Sequence, residues 1–170
     1  MMEQGLLLAL TGKASDAASL IASGIPLFRS IGSTYWLPTY LPHLAMAYAE
    51  LGQFDDGWRC LSEAMTAVET TGETWFEAET NRIAGEIALA SPERDAAKAQ
   101  AYFQHALVVA RKQQAKSWEL RAAMSMARLW RGQGKPQQAR ELLAPVYGWF
   151  TEGFDTLDLK EAKALLAELA

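Results

Sequence analysis

Apolar residues recur along this chain at intervals of three and four, stop at a short polar turn, and then recur again. The pattern is clearest between Ser117 and Val146. Leu120, Ala123, Met126, Ala127 and Trp130 form one helical face, the series breaks at Gly132-Gln133-Gly134, and Ala139, Leu142, Leu143 and Val146 form a second. This spacing predicts two antiparallel helices joined by a tight turn.

The same grammar appears three more times. Leu6 to Leu10 begins part-way through a helix that stops at Gly12, and Ala17, Ala18, Leu20, Ile21 and Ile25 make the return face, which Gly32 closes. A chain that opens inside such a unit is expected to be a fragment of something longer. Pro26 is expected to kink that return helix or to end it early. From Tyr35 to Gly72, Leu41, Leu44, Ala45 and Tyr48 precede the turn at Leu51-Gly52-Gln53-Phe54, and Gly57, Leu61, Ala64 and Val68 follow it. Pro38 suits a first helical turn, whereas Pro42 predicts a kink or a late start. The third unit opens at Thr74-Trp75-Phe76-Glu77, which has the spacing of a capping box. It runs through Ile83, Ala84 and Ile87, turns at Ser91 to Asp95, and returns with Ala99, Phe103, Ala106 and Val109. In the fourth, Pro145 interrupts the return helix late and Gly153 ends it. Asp158 to Glu161 then opens a final amphipathic helix, with Ala162, Leu165, Leu166 and Leu169 on one face, placed to cover the open end of a stack.

Subtraction supports a repeat. Gly5, Ala45, Gly85 and Ala127 occupy one slot and lie 40, 40 and 42 residues apart. Ala17, Gly57, Ala99 and Ala139 open the return helices, and Trp36, Phe76 and Trp118 precede the first helices. Small residues let paired helices approach, and an aromatic fills the wedge between hairpins. Trp36, Trp118 and Trp130 are therefore expected in the core, whereas Trp58, Trp75 and Trp149 fall outside these slots and are candidates for an interface. A small residue in the first helix, an aromatic three positions on (Tyr48, Trp130), glycine at the turn and alanine at the start of the return helix together resemble the tetratricopeptide repeat (TPR). The period here is about 40 against the usual ~34, and Ala88 stands where the third unit would carry its aromatic.

The resemblance implies an all-α fold, a right-handed alpha-alpha superhelix (a TPR-like solenoid) of about four helical hairpins plus a C-terminal capping helix. One domain is expected over residues 1–170, with hairpins at about 3–32, 34–72, 74–115 and 117–152 and the capping helix at about 156–169. Four segments look like a further family: Phe76-Glu-Ala-Glu-Thr-Asn-Arg-Ile-Ala-Gly-Glu, Ala101-Tyr-Phe-Gln-His-Ala-Leu, Lys116-Ser-Trp-Glu-Leu-Arg-Ala-Ala and the stretch from Tyr147 to Ala162. They resemble the C-terminal repeats of large bacterial signalling proteins, in which a class III adenylate or guanylate cyclase or a DNA-binding domain precedes an ATPase module. That resemblance implies a regulatory, partner-sensing segment, and it carries over no catalytic residue.

Composition fits a folded domain, with 50% hydrophobic and 21% charged residues. The single cysteine, Cys60, has no internal partner and is expected as a small core hydrophobe in a reducing cytoplasm. The N-terminus has an acid, Glu3, where an export signal needs a base, and Leu6 to Leu10 is too short to span a membrane. Charge is unevenly spread. Residues 50–95 hold eleven carboxylates against three arginines, a balance of −8, and residues 111–140 hold eight cations against Glu119, a balance of +7.

No chemistry emerges from the motifs. Gly12-Lys13-Ala14-Ser15 lacks the upstream glycine and the Lys-Ser/Thr pair of a phosphate loop. His43 and His105 sit in different repeats, away from cysteines. Glu77 and Glu79 point to different sides of a helix. The expectation is therefore a non-enzyme without cofactor or metal. First helices of such hairpins line the concave face, and the register places Thr39, Pro42 and Glu79 there together with the candidate partner-binding residues Met46, Glu50, Arg82, Glu86, Arg121, Met124, Arg128 and Arg131. A groove ligand, a peptide or protein segment of acidic character, predicts that Arg82, Arg121, Arg128 and Arg131 are exposed, and Arg121, Arg128 and Arg131, spaced seven and three apart on one helix stripe, are placed to clamp a carboxylate or phosphate by bidentate bonds. The charge asymmetry also suggests a homodimer. The alternative is nucleic-acid binding through the basic stripe of residues 111–140, against which the isoelectric point of about 5.2 argues.

Overall fold

The structure, a computed structural model, describes residues 2–32 and 35–170. The expected hairpin boundary at residue 34 lies outside them. Regular structure among the described residues is entirely helical, in chain order α1 (Met2–Leu10), α2 (Ala14–Ser30), α3 (Leu37–Glu50), α4 (Phe54–Thr71), α5 (Glu77–Ala90), α6 (Ala96–Lys112), α7 (Lys116–Gly132), α8 (Pro136–Gly148) and α9 (Leu157–Glu168). Each odd-numbered helix pairs with the next even-numbered one, and the first helices α1, α3, α5, α7 and α9 pack side by side in that order. Each second helix also touches the first helix of the following hairpin, whereas the backbones of successive second helices stay apart and meet only through side chains, such as Trp58 on Tyr102 and Arg29 with Glu63. The layers therefore close more tightly on the first-helix side than on the other.

The small-residue slots explain how the paired helices get so close. Ala17, Ala45, Ala99, Ala127 and Ala139 are fully buried. A Cβ on Gly57 would stand 3.0 Å from the Ala45 carbonyl oxygen, and one on Gly85 would meet the Phe103 ring at 2.3 Å. Gly85 thus makes the space that Phe103, itself fully buried, occupies. Gly52 turns the second hairpin with a positive φ of 77°. The third hairpin has no such glycine. Arg94 takes the left-handed conformation instead, with φ 44°, and Asp95 caps α6 by accepting the Lys98 amide at 2.9 Å.

The core continues across the hairpins through Ile21, Leu41, Leu61, Ile87, Phe103, Leu120, Met126 and Leu143. Leu159, Ala162 and Leu165 of the last helix, with Leu169 at its C-terminal cap, bury against the α7–α8 pair, so α9 covers that end of the core.

Several local expectations are corrected. α2 runs through Pro26 to Ser30 and α8 through Pro145 to Gly148, so neither proline ends its helix. α8 therefore ends at Gly148, well before Gly153. α3 starts at Leu37 and contains a buried Pro42, so no late start occurs. The capping box does not form: α5 begins at Glu77 without a side-chain cap, and the Thr74 carbonyl instead accepts bonds from the Glu77 amide and the Gln113 side chain. Trp36, expected inside, is 45% exposed, whereas Trp118 and Trp130 are half-buried and pack against the core. Trp58, expected at an interface, is half-buried against two core clusters and stacks on Tyr102. Cys60 is also half-buried rather than enclosed, and burial, with Glu63 nearby, pushes its thiol up to about 11.

Candidate functional site

The face made by the first helices is organised by Glu79. Its carboxylate is 2% exposed and accepts two bonds from Arg82, from Nε and an Nη, each at 2.8 Å. Arg121 of α7 donates to the same carboxylate at 2.9 Å and to Asp158 of α9 at 3.0 Å. Arg82 also reaches Glu86 at 3.2 Å, and the Ser125 hydroxyl donates to Glu86 at 2.6 Å. Three successive first helices are thus joined by one polar network. Below it on α7, Arg128 pairs with Glu161 at 2.7 Å and Arg131 pairs with Glu168.

Electrostatics follow from burial and partners. Burial alone drives the Glu79 carboxyl up, but the Arg82 hydrogen bonds and the charges of Arg82, Arg121 and His43 more than offset it and hold it below the usual carboxylate range. The same carboxylates keep Arg82 charged against its own burial. His43 donates from Nδ1 to the Thr39 carbonyl at 2.8 Å, beside the Phe76 ring, and burial lowers its pKa despite the neighbouring Glu79. At the entry to α7, Glu119 takes bonds from Arg111 at 2.9 Å and Lys116 at 2.6 Å, which outweigh burial and lower its pKa. The arrangement is a set of electrostatic struts.

The residues singled out from sequence are brought together only in part. Arg82, Glu86 and Arg121 share the network, whereas Arg128 and Arg131 lie further along the same helix, each 43% exposed. Met124 is a correction, because at 3% exposure it belongs to the core. Met46 is half-buried and Glu50 is exposed at the end of α3. Of the four arginines expected to be exposed, Arg128 and Arg131 are, whereas Arg82 and Arg121 are corrected, at 18% and 29%; all four carry a carboxylate. Sequence reasoning missed Asp158, Glu161 and Glu168 as partners of α7. Their signal was an acid standing about one repeat beyond each arginine, since adjacent first helices run parallel and in register.

No family model matches this sequence, and no curated protein does. Solved structures similar along almost the whole chain include a protein of Podosopora anserina with nearly identical TPR-like repeats of kinesin-light-chain type and its single-substitution variant. Each is 16% identical over 99% of this chain and 82% of the other, with TM-scores of 0.68 and 0.69 respectively. The fold is a TPR-like solenoid. In the TPR-like frame the odd-numbered helices line the inner face and the even-numbered helices the outer one. No helix of the described residues is long and apolar enough to cross a membrane.

Proposed function

We propose that this chain is a non-catalytic protein-interaction and regulatory module from a larger bacterial signalling protein of the cyclase or ATPase-bearing kind. It holds a peptide or protein segment along the inner face of its first helices. The observation that carries this reading is the ion-pair network joining α5, α7 and α9, which fixes the shape of that face before any partner arrives. Met46, Glu50, Glu86, Arg128 and Arg131 keep surface open beside it. Arg128 and Arg131 each hold a single carboxylate, so an acidic partner group joins or displaces it. The four segments that resemble bacterial signalling proteins support the parent context, and a cytoplasmic location goes with it.

Selection of peptides from a random library on the immobilised chain tests the reading. Selected peptides are expected to lose about tenfold in affinity on Arg128→Ala, Arg131→Ala or Glu50→Ala. Peptides that bind all three variants as tightly as the parent place the partner elsewhere, and a selection without binders removes the interaction reading.

One observation favours a second reading, self-association. The α1–α2 end exposes Leu7, Leu10, Leu27 and Ile31, at 59–70% each. Light scattering across protein concentration, at low and high salt, is expected to show a dimer that survives salt if these residues meet. A monomer throughout removes it.

A further inference from the structure

We propose that the row of aromatic rings at the entrances of α3, α5 and α7 is a further binding surface, and that its partner is a proline-rich segment in the polyproline II conformation. It does not require a ligand beside Arg128 and Arg131.

Five rings run without a gap across three hairpins. Tyr35 meets Trp36 at a centroid distance of 5.2 Å, Trp36 meets Trp75 at 5.9 Å, Trp75 meets Phe76 at 5.3 Å and Phe76 meets Trp118 at 5.4 Å. One side of the row serves the fold, since Phe76 is buried and Trp118 half-buried. The other side faces solvent, with Tyr35, Trp36 and Trp75 exposed at 47%, 45% and 36%. A lone exposed ring is ordinary, but three in mutual contact make an apolar patch of the kind that marks an interface. Successive rings are steeply inclined to one another, at 82°, 84°, 68° and 83°. Their edges and faces therefore alternate, and the furrows between them suit a flat, rigid aliphatic ring.

Charge, donors and spacing identify the occupant. No charged side chain belongs to the row. The cation nearest its inner end, Arg121, lies 5.6 Å from the Trp118 ring centre and is already held by Glu79 and Asp158, so the surface selects an uncharged segment. Its polar atoms are donors that the chain leaves unused. The Trp130 indole donates to Gln100 at 3.3 Å, whereas the indoles of Trp36 and Trp75 and the Tyr35 hydroxyl make no hydrogen bond among the described residues. Polyproline II offers the complement, because it has no internal hydrogen bonds and every carbonyl needs a donor. Thr39 is an independent sign of an unmet bond at this rim. It stands three residues on from Trp36, the N-cap of α3, and is 7% exposed, yet its hydroxyl is buried without any partner. The repeat supplies the spacing. Trp36, Phe76 and Trp118 hold one slot on successive first helices, and packed helices lie about 8–10 Å apart. A polyproline II turn of three residues rises ~9.3 Å, so prolines three apart fall on the rings of successive hairpins.

The test is an NMR titration of the full chain with acetyl-octaproline-amide and, separately, with a Gly-Ser repeat peptide of the same length. The expected result is saturable movement of the Trp36 and Trp75 indole N–H signals with octaproline only. Trp36→Ala and Trp75→Ala are each expected to weaken binding about tenfold. Both rings are partly exposed, so these variants test the surface without emptying the core. Arg128→Ala, near the other end of α7, is expected to leave binding unchanged. Movement that does not saturate, equal movement with the Gly-Ser peptide, or unchanged affinity in either tryptophan variant overturns the proposal. Loss of binding on Arg128→Ala does so as well. Indole signals that move with protein concentration alone assign the row to a second copy of the chain and likewise overturn it.

Discussion

The two ends of the solenoid are built from the same repeat but finished differently. From α5 to α9 the stack is closed twice, by Leu159, Ala162, Leu165 and Leu169 in the core and by a ladder of ion pairs across the first helices. At the α1–α2 end neither device is present among the described residues. Leu7, Leu10, Leu27 and Ile31 stand in solvent, and the ion pair nearest that end is Arg29 with Glu63. The contrast teaches that hairpin packing alone makes the repeat, whereas rigidity is added by contacts between repeats. A quasi-one-dimensional stack is therefore expected to open from its unsealed end.

The strongest way to break the closed block is to empty its centre. Phe103→Ala removes the ring that fills the space left by Gly85 and is expected to cost about 3–5 kcal/mol in a denaturant titration. Next comes Glu79→Gln. It leaves Arg82 deeply placed without its bidentate partner and Arg121 with Asp158 alone, an expected loss of about 3 kcal/mol. Leu165→Ala in the seal is expected to cost about 2–3 kcal/mol, whereas Leu7→Ala at the open end changes stability by no more than about 0.5 kcal/mol. Equal losses at these two leucines would erase the comparison.

Acid sharpens it further. In the folded chain His43 titrates below its ordinary 6.5, so under acidification the unfolded chain takes up that proton first and stability falls from about that pH downward. Glu79 and Glu119 are held below the ordinary 4.5, and their contribution, complete above that value, is lost as pH falls through their lower folded values. The melting temperature is expected to decline gently below pH 6.5 and steeply below 4.5, and His43→Gln is expected to flatten the first limb. A small effect of the opposite sign belongs to the one hairpin turned without glycine: Arg94→Gly relieves a left-handed arginine and is expected to stabilise by up to about 1 kcal/mol.

Much of this architecture was legible in the sequence because each hairpin repeats the same steric demand. Small residues at Ala45, Gly85 and Ala127, glycines at the turns and Phe76 as a buried wedge have one physical reading each. Trp36 departs from it, since a slot argument cannot tell a wedge that closes from a ring left on the rim. The inner face was misread for a different reason. Tallying charge by stretches of chain treats residues 50–95 and 111–140 as separate places, whereas a solenoid sets neighbouring first helices side by side, so Glu79 meets Arg121 and the expected clamp arginines are already held.

Native-state hydrogen exchange measures the contrast between the two ends most directly. Amides in α5, α7 and α9 are predicted to exchange only through global unfolding, and those of α1 and α2 through local openings orders of magnitude more frequent. Uniform protection from α1 to α9 would contradict the account.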